Sequence, residues 1–387
     1  MLDAPMAVIY LDHAATTPLD PRVREAFSPW LGERFGNPSS RHPYGVAAAE
    51  ALDQARAELA RAFAVRANEV VFTSGATEAN NLAVLGQARA SRRHGNRVLI
   101  GATEHPSVRE PAAVLAREGF VVETLALDSD GVVDLADLAR RLAPDVVLVA
   151  QMLVSNEFGT LHPLRELART VRTRAPHAKL HVDAVQAVGK VDCALAELGC
   201  DSLAVSAHKL HGPQGVGALV IIGKELEPVQ VGGGQERGRR SGTENVAGAV
   251  GLAAAVRLAE AERERTLAAT RAGREAFVAR LGELPGARVL APKKRFVDAI
   301  LALVVPGAPA EVVMHHLERR GVYVSAGAAC QSKKGAQSPA LAAIGLAPDE
   351  ARHVLRISFA RTTKRAEAEF AAQALVEVLR ELAAVSA

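Results

Sequence analysis

The sequence of 387 residues has few cysteines, few aromatic residues and no long apolar run. Three cysteines without a C-x-x-C pair support neither a disulfide framework nor a structural zinc site, and they favour a reducing compartment. No stretch reaches the roughly 20 apolar residues needed to span a bilayer. The N-terminus lacks the charged region and the long apolar region of a signal peptide. We therefore expect a cytoplasmic protein that does not enter a membrane.

An excess of one charge is also missing, since the formal net charge is +3 and the basic residues are spread along the chain. With three Tyr and one Trp, the sequence has no basic blocks interleaved with aromatics, which argues against nucleic-acid binding. Hydrophobic residues make up 49% of the chain and charged residues 23%, a balance typical of globular proteins. The length predicts two domains, or one large domain with an appendage.

Short β-rich runs alternate with helix-length segments between residues 69 and 222. This pattern predicts an α/β fold with a mostly parallel sheet covered by helices, which binds ligands at the carboxyl ends of its strands. We expect one long helix from the end of the glycine-rich segment (residues 231–245) to about residue 282, and then a smaller α+β domain. The predicted boundaries are 18–259 for the large domain and 1–17 with 260–387 for the small one. The predicted strands of the large sheet are 69–73, 97–101, 120–125, 145–151, 179–184, 202–206 and 215–222.

Lys209 lies in "VSAHKLHGPQGVGALV", where an apolar strand ends at Ser206 and a glycine-rich turn begins. A lysine at such a junction is partly desolvated, which disfavours its ammonium form and makes the amine a nucleophile near neutral pH. The alternative is an ordinary surface lysine in a turn. The motif therefore predicts a reactive amine only if other site residues come together with it.

The segment "VVFTSGATEANNLAV" predicts a strand followed by a helix that begins near Ala76 and Thr77. The free N–H groups and positive end of such a helix form a phosphate-binding cradle. The alternative is simple N-capping by Ser74 or Thr77. No Walker loop and no G-x-G-x-x-G follows a strand, so neither a nucleoside triphosphate nor a dinucleotide is indicated.

Four further polar residues lie at or after the ends of predicted strands: His105, Asn156, Asp183 and Gln186. A carboxylate such as Asp183 can hold a ring nitrogen protonated, although Asp is also a good helix cap. His105 could equally be a capping histidine in a loop. Taken together with the cradle and Lys209, these residues describe a binding site for pyridoxal 5'-phosphate, with Ser206 and His208 at its phosphate.

At this point the chain resembles the cysteine desulfurases of the NifS/IscS type, which are fold-type I, class V aminotransferase-like enzymes. The resemblance covers nearly the whole chain. Its motifs are "YLDHAATTPLDPRV", "FGNPSSRHPYG", "FTSGATEANNLA", "TEHPSV", "SNEFG", "HVDAVQAVGK", "SAHKLHGPQGVGAL", "GGGQERGRRSGTENV", "VSAGAACQS" and "VLRISFAR".

The resemblance implies a role for each matching residue. Lys209 matches the lysine that binds the coenzyme covalently, and Asp183 the partner of its ring nitrogen. His105 is similar to the histidine that stacks on the ring and takes part in proton transfer. Arg356 resembles the arginine that binds the substrate carboxylate, although a surface ion pair is the alternative. The other implied coenzyme contacts are Ala76, Thr77, Asn156, Gln186, Ser206, His208 and, from the neighbouring subunit of a homodimer, Thr243.

Cys330 lies in "SAGAACQSKKGAQSP", a small and polar stretch that predicts a mobile loop. In the family that it resembles, the matching cysteine takes sulfur from L-cysteine, becomes a persulfide and leaves L-alanine. Lys333 and Lys334 are departures from the usual loop sequence, and they put the choice of acceptor in doubt. An iron–sulfur scaffold and a tRNA-thiolation carrier both fit as acceptors. Cys193 and Cys200 are expected to be core residues.

Three alternatives remain open at the level of sequence. A selenocysteine lyase or a transaminase could use the same scaffold, although Cys330 argues against a transaminase. The histidines His181, His208 and His211, with Asp183, could hold a metal in a hydrolase, but Lys209 lies between two of them and no H-E-x-x-H occurs. A non-catalytic protein that kept the fold would have no reason to keep the full set of coenzyme residues.

Overall fold

The computed structural model describes residues 8–282, 284–290, 292–327 and 338–386. The strands of this part of the chain are β1 (Ile9–Tyr10), β2 (Val70–Thr73), β3 (Arg97–Gly101), β4 (Val121–Leu125), β5 (Val146–Ala150), β6 (Lys179–Asp183), β7 (Ser202–Ser206), β8 (Gly217–Ile221), β9 (Arg288–Leu290), β10 (Ile300–Val304), β11 (Val322–Tyr323), β12 (Ser325–Ala326) and β13 (Val354–Ser358).

The α-helices of the described residues surround these strands. They are α1 (Pro21–Phe27), α2 (Pro43–Ala62), α3 (Ala76–Ala90), α4 (Pro106–Arg117), α5 (Leu135–Arg141), α6 (Leu164–Arg174), α7 (Leu195–Leu198), α8 (Val246–Ala261), α9 (Arg263–Leu281), α10 (Ala310–Glu318), α11 (Pro339–Ala343), α12 (Pro348–Ala351) and α13 (Arg365–Ser386).

A seven-stranded sheet with the order β2-β8-β7-β6-β5-β3-β4 forms the centre of the large domain. Its strands are parallel except β8, which runs antiparallel to both β2 and β7. The central strands β5, β7 and β8 are buried along their whole length, as expected for a sheet with helices on both faces. The predicted α/β fold class is confirmed, and each predicted strand is present to within two residues at either end.

A second, antiparallel sheet with the order β12-β13-β10-β9 has its own apolar core against α9, α10 and α13. The N-terminal strand β1 pairs in parallel with β11, and β11 directly precedes β12 of the second sheet along the chain. Within the described residues, no helix is long and apolar enough to cross a membrane. The exact domain boundaries stay a prediction.

The prediction of one long helix after the glycine-rich segment was wrong, because the chain forms two helices that meet at Glu262. The backbone of Glu262 leaves the helical conformation, and its carboxylate pairs with Arg22 at 2.7 Å and Arg361 at 3.1 Å. Helix α8 packs on α2 of the large domain, whereas α9 packs on α13 of the small one. A composition rich in Ala, Glu and Arg predicts helix along the whole segment. It does not reveal that the first half packs on α2 and the second half on α13.

Cys193 and Cys200 are buried in the core of the large sheet, as predicted. Burial raises the pKa of each thiol to about 12. Neither thiol therefore carries a significant thiolate fraction at neutral pH.

Candidate active site

The carboxyl ends of β2, β3, β5, β6 and β7 meet along one edge of the large sheet, and a cleft of about 570 Å³ opens there. Ligands of open α/β sheets bind at this edge because the loops that follow the strands converge there. The predicted site residues that line the cleft are Ala76, Thr77, His105, Asn156, Asp183, Gln186, Ser206, His208, Lys209 and Arg356. Residues that are up to 280 positions apart in the sequence thus share one surface.

The N-terminus of α3 forms one end of the cleft. Its N-cap is Gly75, and no side chain caps it, so the alternative of a Ser74 or Thr77 cap was wrong. The first N–H groups of a 15-residue helix therefore face the cleft together with Ser206 and His208. Gly215, with φ +76°, lies beside them in a conformation that favours glycine. This end of the cleft suits an anion with several oxygen atoms.

His208 contributes neutral hydrogen-bonding groups to the anion end. Its Nδ1 lies 3.1 Å from Thr16 Oγ1, and its backbone oxygen accepts a hydrogen bond from the hydroxyl of Thr17 at 2.8 Å. Burial, together with the charge of Lys209, lowers the pKa of His208 to about 4. The imidazole is therefore neutral at pH 7, and the N-terminal segment fixes its orientation.

Asp183 lies at the end of β6, on the opposite side of the cleft, and its side chain is held from two directions. Asn80 Nδ2 donates to Oδ2 at 2.8 Å, and the backbone N–H of Val185 donates to Oδ1 at 3.0 Å. The second bond shows that Asp183 caps the following turn as well as facing the cleft. Hydrogen bonds to both oxygens fix the orientation of the carboxylate.

Asn80 connects Asp183 to a buried network under the sheet edge. Asn80 Oδ1 accepts a hydrogen bond from His181 Nε2 at 2.9 Å, and His181 Nδ1 lies 2.8 Å from Ser202 Oγ. Burial lowers the pKa of His181 to about 3, so the ring is neutral. These contacts fix the amide of Asn80 and, through it, the carboxylate of Asp183.

His105 is the N-cap of α4, as one interpretation of the sequence expected. Its Nδ1 accepts a hydrogen bond from the Ser107 N–H at 3.1 Å and lies 2.8 Å from Ser107 Oγ. In the neutral ring the proton is therefore on Nε2. Burial lowers the pKa of His105, and the charges of Lys209 and Arg109 lower it further, against the opposing effect of Asp183. Capping by Nδ1 leaves Nε2 for chemistry in the cleft.

Lys209 follows β7 at the end of a short 3₁₀ turn (Ala207–Lys209). Its Nζ donates to the backbone oxygens of Ala14 and Ala15, each at 2.6 Å. Gln186 Nε2 donates to the same Ala14 oxygen at 3.0 Å. The amine therefore faces the cleft, and the N-terminal segment holds it in place, so that it is not an ordinary surface lysine.

Arg356 on β13 extends from the second sheet to the cleft. Its Nη2 donates to Asp12 Oδ1 at 2.9 Å, and its Nη1 donates to the backbone oxygen of Asn156 at 3.1 Å. The side chain is only 12% exposed, so the ion pair with Asp12 is not on the open surface. Among the described residues, its Nε has no hydrogen-bond partner. These two bonds hold the guanidinium in a fixed orientation at the cleft that it lines.

Two predicted site residues lie elsewhere. Thr243 is exposed and lines an adjoining pocket with Ser74 and Gly215, so it does not line the cleft of its own chain. Cys330 lies outside the described residues. The chain on either side of it is anchored near the cleft, since Gly327 N donates to Val354 O at 2.7 Å and Ser338 Oγ donates to the carboxylate of Glu157 at 2.9 Å.

The histidines of the metal alternative are not grouped. His181 contacts Asn80 and Ser202, whereas His211 Nδ1 lies 2.9 Å from the Pro18 oxygen. In the part of the chain that the structure describes, no three His, Cys, Asp or Glu side chains are arranged to hold a metal ion.

Sequence reasoning missed the residues that support the site from behind. Asn80 lies on the buried face of a helix, and a buried amide requires hydrogen-bond partners. Its position therefore indicated a buried polar contact. The backbone oxygens of Ala14 and Ala15 gave no signal, since their role depends on where the N-terminal segment packs. Thr16 and Asp12 are further examples, although both lie in the motif "YLDHAATTP".

Comparison with known proteins identifies a family for this arrangement. The family described as aminotransferase class V matches residues 9–370. A cysteine desulfurase IscS of Dictyoglomus turgidum is 36% identical over 380 residues, covering 98% of this chain and 96% of that protein. Sequence similarity therefore extends over the cleft and both sheets.

Solved structures give the same result. A NifS-like protein superposes with a TM-score of 0.91 at 33% identity, covering 97% of this chain and 100% of the other. A structure described as SspA in complex with cysteine has a TM-score of 0.81 at 30% identity, covering 92% of this chain and 99% of the other.

Proposed function

This chain belongs to the class V aminotransferase family and is a cysteine desulfurase, and we propose that pyridoxal 5'-phosphate binds in its cleft with Lys209 as the covalent attachment. The observation that carries the proposal is the position of Lys209 Nζ between the uncapped end of α3 and the carboxylate of Asp183. These two ends complement a phosphate and a protonated ring nitrogen. When bound, the coenzyme supplies an electron sink for bond changes in the substrate.

The residues of the cleft fit this coenzyme in both charge and shape. A helix N-terminus without a side-chain cap leaves N–H donors at Ala76 and Thr77 for phosphate oxygens, and Ser206 adds a hydroxyl. Asp183, with a hydrogen bond to each oxygen, provides a fixed anion for the ring nitrogen. Asn156 and Gln186 also line the cleft.

His105 is suited to hold and move a proton in this cleft. Its ring is neutral because burial lowers its pKa, and Ser107 orients it through Nδ1. Because Nδ1 accepts the Ser107 N–H, the neutral ring presents its Nε2–H to the cleft as a hydrogen-bond donor. We infer that His105 orients the coenzyme ring and takes part in proton transfer at the substrate.

Arg356 is the proposed binding group for the carboxylate of L-cysteine. Asp12 and the Asn156 oxygen fix two of its guanidinium nitrogens, and the side chain lines the cleft. An arginine that is already oriented loses little side-chain freedom on binding. The structure of the relative SspA was solved with cysteine, which supports the same substrate class here.

Cys330 is the proposed sulfur acceptor within the chain. Its thiolate attacks the sulfur of the substrate, so that an S–S bond forms, the C–S bond breaks and the bonding electron pair remains on carbon. The carbon then gains a proton and L-alanine leaves, while Cys330 holds a persulfide. The anchors at Gly327 and Ser338 place both flanks of this cysteine close to Arg356 and Asn156, which supports access to the cleft.

We test the reaction with L-cysteine and the variants Cys330→Ala and Cys193→Ala. The proposal expects equal amounts of L-alanine and protein persulfide from the wild-type protein, with the persulfide mapped to Cys330. Cys330→Ala should bind the coenzyme normally but lose desulfurase activity, whereas Cys193→Ala is the matched control with a buried thiol. Full activity in Cys330→Ala would refute the assigned role. Lys209→Ala should lose the absorbance of covalently bound coenzyme.

We further propose a homodimer in which Thr243 contacts the coenzyme phosphate of the neighbouring subunit. Its exposed position, at a pocket that shares Ser74 and Gly215 with the cleft, supports a contact of this kind. The persulfide then passes to an acceptor protein, for which an iron–sulfur scaffold and a tRNA-thiolation carrier are the two candidates. The cytoplasmic location stays a prediction.

A further inference from the structure

Glu104 is a buried carboxyl group that the proposed reaction does not use. It follows β3 and directly precedes His105, and only 4% of the residue is exposed. The backbone N–H of Met152, which follows β5, donates to Glu104 Oε1. The side chain of Glu104 therefore joins the ends of two neighbouring strands directly beneath the cleft.

Two oxygen atoms in this region lack a donor. Among the described residues, neither Glu104 Oε2 nor Gln151 Oε1 has a hydrogen-bond partner, although both are buried. The orientation of the Gln151 amide is set by its Nε2, which donates to the Met152 oxygen at 3.2 Å. If the amide were flipped, Gln151 Oε1 would face the Met152 oxygen, and the two oxygens would repel each other. The amide therefore keeps this orientation, and Oε1 remains a hydrogen-bond acceptor.

Glu104 and Gln151 are close neighbours, as the glycine beside them shows. A Cβ on Gly101 would lie 2.5 Å from Gln151 Oε1 and 2.8 Å from Glu104 Oε1. Any other residue at position 101 would force these side chains apart. The backbone of β3 thus leaves space in which the carboxyl of Glu104 and the amide oxygen of Gln151 lie side by side.

The charged groups around Glu104 favour the protonated form. Burial, together with the negative charge of Asp183 from β6, raises the pKa of Glu104 well above its usual range. The Met152 N–H and the charge of Arg109 from α4 oppose this effect. Arg109 Nε has no hydrogen-bond partner among the described residues. His105, the remaining titratable neighbour, is neutral.

Asp183 is better provided with donors than Glu104. Asn80 and the Val185 N–H each donate to one of its oxygens, whereas Glu104 receives a single backbone N–H. When two buried carboxyl groups are neighbours, the proton resides on the one with fewer donors. The geometry therefore points to Glu104 as the carboxyl group that holds a proton.

We propose that Glu104 is a positioning residue whose carboxyl group stays protonated at neutral pH and donates a hydrogen bond to Gln151 Oε1. This bond ties the end of β3 to the end of β5, and so it fixes His105 and Met152 at the wall of the cleft. The consequence for coenzyme binding rests on the proposed function, whereas the protonation of Glu104 does not.

The first test is infrared difference spectroscopy of the wild-type protein against Glu104→Gln at pH 7. We expect a band of a protonated carboxylic acid that disappears in the variant. The matched control is Glu69→Gln, which removes a carboxylate of similar burial that is paired with Arg66, and which should not remove such a band. If Glu104→Gln instead lost a band of an ionised carboxylate and no band of a protonated acid, the proposal would be overturned. Since the readout is independent of activity, failure of the proposed function would not change it.

The second test compares Glu104→Gln with Glu104→Ala in the coenzyme-loaded protein. The amide of Gln can donate to Gln151 Oε1 and accept from Met152, so kcat/KM and the pH titration of the coenzyme absorbance should stay within about threefold of wild type. Glu104→Ala leaves both groups unpaired and should weaken coenzyme binding by about tenfold or more. Equal loss in both variants would show that the negative charge of Glu104 is required, which contradicts the proposal.

Discussion

Arg56 of α2 and Glu236 of the glycine-rich segment are 180 positions apart, and they form a buried two-pronged ion pair at 2.7 and 2.9 Å. Arg56 also donates to the Val70 oxygen, and the Phe72 N–H donates to Glu236. Glu236 and Arg237 both have positive φ angles, 49° and 59°, which side chains other than glycine rarely adopt. This ion pair therefore holds a strained segment against β2, next to Thr243.

The first prediction concerns this ion pair. Glu236→Gln leaves the buried guanidinium of Arg56 without a counter-charge, and we expect the free energy of unfolding to fall by about 3–5 kcal/mol. Urea denaturation monitored by circular dichroism measures the change. Glu33→Gln, an exposed substitution, is the control and should have little effect. A loss below about 1 kcal/mol would show that the segment is held by other contacts.

The second prediction concerns Asn80, which sequence reasoning missed. Asn80→Ala removes the hydrogen bond to Asp183 Oδ2, and a hydrogen bond to a charged group contributes about 1.5–3 kcal/mol. Coenzyme affinity should therefore fall by about 10-fold to 100-fold, as measured by equilibrium titration of its absorbance. Asn81→Ala is the matched control, because that amide bonds to the Thr77 oxygen within its own helix. Similar losses in the two variants would argue against a specific role for Asn80.

The third prediction concerns Arg356. Arg356→Gln should raise KM for L-cysteine by about 10-fold to 100-fold, since it removes a charged partner of the substrate carboxylate. Coenzyme absorbance should be unchanged. The control Arg352→Gln changes an exposed arginine close by and should leave KM as it is. An unchanged KM together with lower stability would make Arg356 a purely structural partner of Asp12.

The fourth prediction concerns pH. Burial lowers the pKa of His181 to about 3, below the value of about 6.5 in an unfolded chain. Between these values the unfolded chain binds a proton that the native protein does not, so stability is complete above pH 6.5 and is lost as the pH falls. From pH 6.5 to pH 5, His181 should account for about 2 kcal/mol of lost stability.

Denaturation of wild type and His181→Gln at pH 7.5 and pH 5 measures this contribution. The variant should be less stable at pH 7.5, because it disturbs the bonds to Asn80 and Ser202, but its stability should change less between the two pH values. An identical pH dependence in both proteins would contradict the prediction.

The sequence was sufficient for the fold class and for most of the cleft. Apolar runs separated by helices predicted each strand of the large sheet, and the polar residue after each strand predicted the edge at which the cleft opens. The roles of Lys209 and Asp183 were inferred from the residues themselves, those of His105 and Arg356 followed from a resemblance, and the structure brings these residues together. Their roles stay predictions until the variants are measured.

The sequence by itself determined the local features of this protein: the periodicity of its strands and helices, and the residue types at the strand ends. Only the tertiary structure decided the break between α8 and α9 at Glu262, the pairing of Asp183 with Asn80, and the meeting of Glu104 with Gln151. The reason is physical. Periodicity is a property of neighbouring residues, whereas a buried hydrogen bond depends on which distant segments pack together and exclude water.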